Sequence, residues 1–311
     1  MCQTGKIIKG IAGFYYVLGE DDMLYTCKAK GIFRKEGEKP LVGDDVVISI
    51  INADESLGNV DDILPRRNSL IRPAVANIDQ ALIIFSFHAP EPNLDLLDRF
   101  LIMMEQQGLP IIICFNKKDL GDALQEKDIR RVYKNSGYQL LFISASGDVE
   151  DDDVDELKML LKGKTTALAG PSGVGKSTLT NLLCKDNEYT RTWFEISENE
   201  ETVMATGTLS HKLNRGKHTT RHTQFIRIDR DTYLMDTPGF TSLNIFDMDK
   251  GELRGFYPEL VEHEGECKFQ GCSHTHEPGC IVKSGIGDII SKERYENYVA
   301  YYTELAGRRK Y

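Results

Sequence analysis

Nine consecutive residues, Gly170-Pro171-Ser172-Gly173-Val174-Gly175-Lys176-Ser177-Thr178, carry the spacing G-x-x-x-x-G-K-[ST] between the apolar run TTALAG and a helical stretch. That context suits a loop wrapped around phosphates. Glycines let backbone N–H groups face inward, a following helix N-terminus adds a positive dipole, Lys176 reaches the β and γ phosphates, and Ser177 ligates magnesium. Downstream, Asp236-Thr237-Pro238-Gly239 follows the run YLM and fits D-x-x-G. In that motif the aspartate approaches magnesium through water and the glycine amide senses the γ phosphate. Between the two lies Gly216-Lys217-His218-Thr219-Thr220, in the polar stretch where a loop closing over magnesium belongs. Thr219 and Thr220 are both candidate ligands. Phe240 stands where many GTPases carry the glutamine that orients attacking water, and an apolar side chain cannot do so. His218, beside the threonines, is the candidate for that role.

Asn116-Lys117-Lys118-Asp119 follows the run IIICF and matches N-K-x-D. A carboxylate at Asp119 accepts from the ring N1–H and exocyclic amine of guanine, groups that adenine does not offer, so an unpaired carboxylate penalises ATP. Ser144-Ala145-Ser146, at the end of QLLFI, adds a backbone N–H for the guanine O6. The chemistry expected is hydrolysis of GTP to GDP with magnesium. The guanine motifs precede the phosphate loop, the reverse of the ordinary order, so the nucleotide domain is circularly permuted. The strand after D-x-x-G has moved to the front as ALIIFSF, and Val154–Leu161 with the link 162–164 joins the old ends. The new break follows Gly239, so the C-terminal segment hangs from the γ-phosphate-sensing loop and can respond to it.

Cys267, Cys272, His274 and Cys280 form C-x4-C-x-H-x5-C, with His263 and His276 as alternative imidazoles nearby. Three thiolates and one imidazole suit a closed tetrahedral zinc site of structural type.

Several elements must position these residues. Residues 1 to about 70 hold short β-type runs, GFYYVL, MLYTCKA and DVVISII, and read as a small all-β domain. From about Ile71 strands alternate with helices: ALIIFSF, LDLLDRFLIMMEQQ, IIICF, a helix near Glu126 to Asn135, QLLFISA, the helix Val154–Leu161, TTALAG, a helix after Lys176, then FIRID and YLMD. Such alternation implies an α/β fold, a parallel sheet covered on both faces. From Leu243 to Tyr311 the Cys/His segment is followed by an amphipathic helical tail. The acidic run Asp148 to Glu156 reads as a solvated helix entry.

Bulk properties narrow the class. The 311 residues are 41% hydrophobic and 28% charged, and their longest apolar runs are too short to span a membrane. No leader is expected in MCQTGKIIKG, and seven cysteines, an odd number with three clustered, suit a reducing cytoplasm. A net charge of −10 excludes a whole surface devoted to nucleic acid while leaving room for patches. Residues 1–40 carry seven Lys/Arg against five Asp/Glu, the tail ends in Arg308-Arg309-Lys310, and Phe14, Tyr15 and Tyr16 are candidates for base stacking.

With RPAVANIDQ at Arg72 to Gln80, the permuted order, G-K-H-T-T, D-T-P-G and CKFQGCSHTHEPGC at 267 to 280, the chain resembles the RsgA (YjeQ/YloQ) family along essentially its whole length. The resemblance implies an oligonucleotide-binding (OB) barrel over 1–70, a circularly permuted GTPase domain over 71–243 and a zinc-binding domain with helices over 244–311. It favours His274 as the imidazole ligand. It also implies a small ribosomal subunit and its rRNA as partners, with subunit-stimulated hydrolysis late in maturation driving release. A monomer away from membranes is expected. Arg221 stands where some relatives resemble a third threonine, which leaves the register of the magnesium threonine open.

Overall fold

A computed structural model describes residues 2–31, 33, 37–70, 73–146, 152–185, 189, 224–236 and 248–307. The chain opens with β1 Cys2–Ile11, β2 Phe14–Gly19, β3 Leu24–Ala29, β4 Asp45–Asn52 and β5 Leu57–Ile63, then the short β6 Ser69–Leu70 and β7 Val75–Ala76. There follow β8 Gln80–Ser86, α1 Leu94–Glu105, β9 Ile111–Asn116, α2 Ala123–Val132, β10 Gln139–Ile143, α3 Asp152–Leu161, β11 Thr165–Ala169 and α4 Lys176–Cys184. Last come β12 Gln224–Asp229, β13 Thr232–Asp236, α5 Pro258–Val261, α6 Ile281–Ser284 and α7 Lys292–Gly307.

Alternation of side chains along the first five strands dictates a closed barrel. Ile7, Val17, Cys27, Val46, Ile48 and Val60 take the inner positions and are fully buried. Ala12 and Gly13, at φ 51° and 87°, make the primed two-residue turn whose twist matches the hairpin Ile11↔Phe14. A bulge between Ile7 and Lys9 bends β1, and β4 pairs back onto it at Thr4↔Val47. The order β1-β2-β3-β5-β4 therefore closes on itself. The strands β1 and β5 were not expected from their sequences, CQTGKIIKGI and LGNVDDI, whose apolar content is sparse; their barrel neighbours make them strands.

The described residues fall into two compact units. One takes in Met1–Ala81, Asp155–Ala169 and Lys176–Thr241. Within it β11 lies parallel to β13 (Leu168↔Asp236), β13 antiparallel to β12 (Phe225↔Met235), and β12 meets β1 at Lys9↔Gln224. All five positions of β11 are buried, as befits a parallel strand covered on both faces.

The other unit takes in Leu82–Val154, Gly170–Gly175 and Ser242–Tyr311. Its strands run in the order β8-β9-β10, with β9 and β10 parallel at Cys114↔Leu141. Asn93 caps α1 by accepting from Leu96 N, and Asp122 caps α2 by accepting from Leu124 N and Gln125 N. That cap starts α2 at Ala123, ahead of the expected Glu126. The C-terminal segment builds its core from Leu253, Tyr257, Cys272, Tyr298 and Tyr301 together with Ile102 of α1. Arg294 of α7 is buried there, donating to Asp98 of α1 and, at 3.1 Å through Nη2, to Glu259 of α5. The rings of Tyr257 and Tyr133 lie 4.8 and 5.1 Å from its guanidinium. No helix among the described residues is long and apolar enough to cross a membrane.

Candidate functional site

The parallel ladder Ile143↔Asn116 brings the ends of β9 and β10 side by side, so both guanine motifs emerge from carboxyl ends of strands, where open α/β sheets bind ligands. Asn116 is buried to 2% exposure. Its Nδ2 donates to Val174 O at 3.0 Å, and its Oδ1 accepts from Lys117 N at 2.8 Å and Ala145 N at 3.0 Å. One amide thereby ties the Gly170–Gly175 loop to both guanine segments.

Lys117 adopts φ 66°, a left-handed conformation unusual for a residue with a Cβ. That turn sends its ammonium across to donate to Gly173 O at 3.0 Å and to Ala89 O. Asp119 is exposed, with Ser144 Oγ donating to its Oδ1 and accepting from its own N–H at 3.1 Å. The carboxylate is thus steered by a neighbour and stays open to a ligand. Lys118 turns aside to pair with Asp153 at 3.2 Å, a contact exposed enough for water to screen it. Ser146 is exposed beside Ala145.

The loop itself needs glycine for physical reasons at two positions. At Gly170, with φ 142°, a Cβ would stand 2.1 Å from Ile84 O; at Gly175, with φ 93°, it would stand 2.3 Å from Asn116 Nδ2. Val174 is buried, whereas Ser172 and Gly173 are exposed and Pro171 is half-buried. The chain then enters α4, whose first turn carries Lys176, Ser177 and Thr178 and whose buried face carries Leu179, Thr180 and Leu183. Asp236 ends β13 opposite Leu168 of β11, the strand that precedes the loop. His218, Thr219, Thr220, Arg221, Gly239 and Phe240 lie outside the described residues, as do Arg72 and Arg308-Arg309-Lys310.

A second centre lies in the C-terminal segment. One ligand atom from each of Cys267, Cys272, His274 and Cys280 lies within 4.8 Å of every other. The Cys267 and Cys280 sulfurs are 3.8 Å apart, and His274 Nδ1 is 3.5 and 3.4 Å from them. A tetrahedral ion with 2.3 Å bonds to sulfur and about 2.05 Å to nitrogen requires edges of about 3.8 Å between sulfurs and about 3.6 Å from nitrogen to sulfur. The donor set therefore fits zinc. Without a cation, burial pushes the Cys272 thiol up to about 12, while burial and then Arg254 lower the His274 imidazole towards its neutral, ligating form. The structure keeps the other imidazoles apart: His263 Nδ1 faces Glu266 at 3.0 Å and His276 Nδ1 faces Thr275 Oγ1 at 2.9 Å.

Sequence spacing does not reveal the groups that hold this loop. Tyr295 and Tyr298 of α7 donate to His274 O and Ser273 O at 2.9 and 2.7 Å, Arg254 donates to Cys272 O at 3.2 Å, and the amides of His274 and Lys283 donate to Cys272 and Cys280 sulfur. The tyrosine spacing on the tail was the available signal: positions 295 and 298 share one helical face.

Two family models match the chain: one described as RsgA GTPase over residues 63–246 and one described as RsgA N-terminal domain over residues 4–57. The small ribosomal subunit biogenesis GTPase RsgA of Agathobacter rectalis is similar at 49% identity over 319 aligned positions, covering 99% of this chain and 100% of that protein. Its namesake in Clostridium kluyveri is 44% identical, covering 99% of each. Among solved structures, that of YloQ, a circularly permuted GTPase, is similar with a TM-score of 0.76 at 35% identity, covering 100% of this chain and 97% of that one. The structure of YjeQ from Thermotoga maritima is similar with a TM-score of 0.77 at 30% identity, covering 99% and 100%.

Proposed function

The chain belongs to the RsgA GTPase family, and from that membership we propose that it hydrolyses GTP to GDP and phosphate on the small ribosomal subunit, assisting late maturation and leaving after hydrolysis. The observation that carries this reading is Asn116, whose amide joins the phosphate loop to the guanine segments and so links base recognition to phosphate placement. Asp119 reads guanine N1–H and amine, the Ser144-Ala145-Ser146 segment supplies the backbone N–H for O6, and Lys117 braces Gly173. Backbone N–H groups of 170–175 wrap the phosphates, Lys176 offsets β and γ charge, and Gly239 senses the γ phosphate. Ser177, Thr219 or Thr220 and, through water, Asp236 would hold magnesium, which would supply positive charge against the phosphate oxygens. His218 orients the attacking water. Zinc on Cys267, Cys272, His274 and Cys280 supplies folding energy to the C-terminal segment and takes no part in hydrolysis.

The reading divides the chain into a barrel over 1–70, a permuted GTPase domain over 71–243 and a zinc-binding domain over 244–311, acting as a monomer in the cytoplasm. The barrel supports contact with rRNA. Lys9 Nζ lies 5.1 Å over the Tyr16 ring and Lys28 Nζ 5.0 Å over the exposed Phe14 ring, pairs suited to phosphate and base. Tyr15, by contrast, is core.

GTP turnover measured alone, with small subunits and with large subunits tests the reading. Small subunits alone should stimulate, and His218→Ala should remove that stimulation, a loss of about 10²- to 10⁴-fold for a positioned group. Equal stimulation by both subunits, or by neither, would overturn it.

A further inference from the structure

The link between the barrel and β8 holds a non-glycine residue in the left-handed region. Asn77 has φ 58° and 1% exposure, and its side chain explains the turn. Nδ2 donates to Gly43 O at 3.0 Å, just ahead of β4, while Oδ1 accepts from Arg67 N at 2.9 Å. Gly43 has φ 97°, and a Cβ there would stand 2.0 Å from Ala76 O, so only glycine permits so close an approach. Two residues beyond Asn77, Asp79 grips the first residue of β11 from both sides: its N–H donates to Thr165 O at 2.9 Å and its Oδ2 accepts from Thr165 N at 2.8 Å. Gln80 Nε2 then donates to Thr166 Oγ1 and Leu160 O, each at 3.0 Å.

Thr165 and Thr166 are 3% and 0% exposed, so solvent does not compete at their end of these bonds; the Asp79 side chain is 25% exposed and also pairs with Arg67 at 3.0 Å. β11 is the strand whose end enters the phosphate loop, and its neighbour β13 ends at Asp236. A second tie runs in parallel: Arg227 of β12, the strand that follows the G-K-H-T-T segment, donates through Nη1 to Asp22 in the β2–β3 turn at 2.7 Å.

We propose that Asn77 and Asp79 are positioning residues that carry engagement of the barrel by the small subunit to the phosphate-binding end of β11. The inference rests on the reading given under Proposed function. A barrel pulled by a partner cannot move without Gly43 and Ala76, and these cannot move without Asn77, Asp79 and the backbone of Thr165. Neither residue is among those proposed to hold the nucleotide or magnesium.

Three variants of the full chain separate coupling from scaffolding. Asn77→Gly keeps the left-handed backbone accessible and deletes the amide; Asp79→Ala deletes the grip on Thr165 N; Asp79→Asn restores an acceptor oxygen. GTP turnover with and without saturating small subunits, KM for GTP, subunit affinity and thermal melting are measured for each. In Asn77→Gly and Asp79→Ala, unstimulated turnover, KM and subunit affinity should stay within about twofold while stimulated kcat falls about tenfold, inside the range of ordinary coupling free energies. Asp79→Asn should recover most of that loss. Wild-type stimulated kcat in both deletions would overturn the proposal, and so would parallel loss of stimulated and unstimulated turnover with a lowered melting temperature, the mark of a merely structural role. If the wild-type protein itself is not stimulated by small subunits, the underlying reading fails and takes the proposal with it, an outcome distinct from failure of the variants alone.

Discussion

The side chain of Asn116 serves Val174 O, Lys117 N and Ala145 N together, and nothing about an asparagine in N-K-x-D announces three partners. Motif spacing made the four residues legible because their order along the chain is also their order in the loop. Lys117 at φ 66° and the Ser144–Asp119 bond were not legible, since both depend on segments meeting through space. Ser144 holds one oxygen of Asp119, and on the proposed reading the exposed carboxylate takes the donor pair of guanine. Asp119→Asn should therefore weaken GTP roughly ten- to hundredfold, the value of hydrogen bonds to a charged acceptor. Xanthine nucleotides should gain in compensation, because the new amide donates to the carbonyl that replaces the guanine amine. Competition titration of both nucleotides checks this, and an unchanged preference for GTP would remove Asp119 from the pocket.

Among elements, continuous apolar runs such as ALIIFSF, IIICF and TTALAG announced β8, β9 and β11, because strands buried on both faces need no polar alternation. The barrel was harder: β1 and β5 owe their conformation to partners on either side, and no local pattern in them competes with loop. In the metal-bearing segment the cysteines were plain, whereas the imidazole stayed open on the residues alone until the resemblance favoured His274; in the structure His274, at φ 58°, turns its Nδ1 towards the two sulfurs. Cys272 is 3% exposed and belongs to the same core as Tyr298. Cys272→Ser should lower bound zinc below one equivalent by elemental analysis and cause the segment to melt early, because binding energy there is folding energy. Full zinc occupancy in that variant would show the ligand set to be wrong.

Across the whole molecule, each flank shares a compact unit with one part of the nucleotide machinery: the barrel with β11, β12, β13 and α4, the metal-bearing segment with β8, β9, β10, α1 and α2. Motif order made the permutation readable; the expectation that the last segment hangs from the γ-phosphate loop and can respond to it falls on joining residues 237–247, outside the described ones, and the segment's side-chain ties to α1 and α2 were not legible. Arg294, 2% exposed, serves two carboxylates, and Arg131 of α2 pairs with Glu293 at 2.6 Å. Arg294→Ala should cost about 3–5 kcal/mol in denaturant unfolding, since it strands two buried carboxylates. Arg294→Lys should recover little of that loss, an ammonium lacking the planar fork. A change as small as an exposed pair gives, about 1 kcal/mol or less, would count against the lock. There is also a consequence for biosynthesis. Asp98 emerges 196 residues before Arg294, which is about 10–40 s at roughly 5–20 residues per second. Throughout that interval a carboxylate destined for complete burial has no counter-ion, and α1 cannot bury the face that carries it. The unit built on β8, β9 and β10 is thus expected to remain unfinished until α7 has been translated, so that nascent chains arrested short of residue 294 are cut by protease within α1 while completed chains resist.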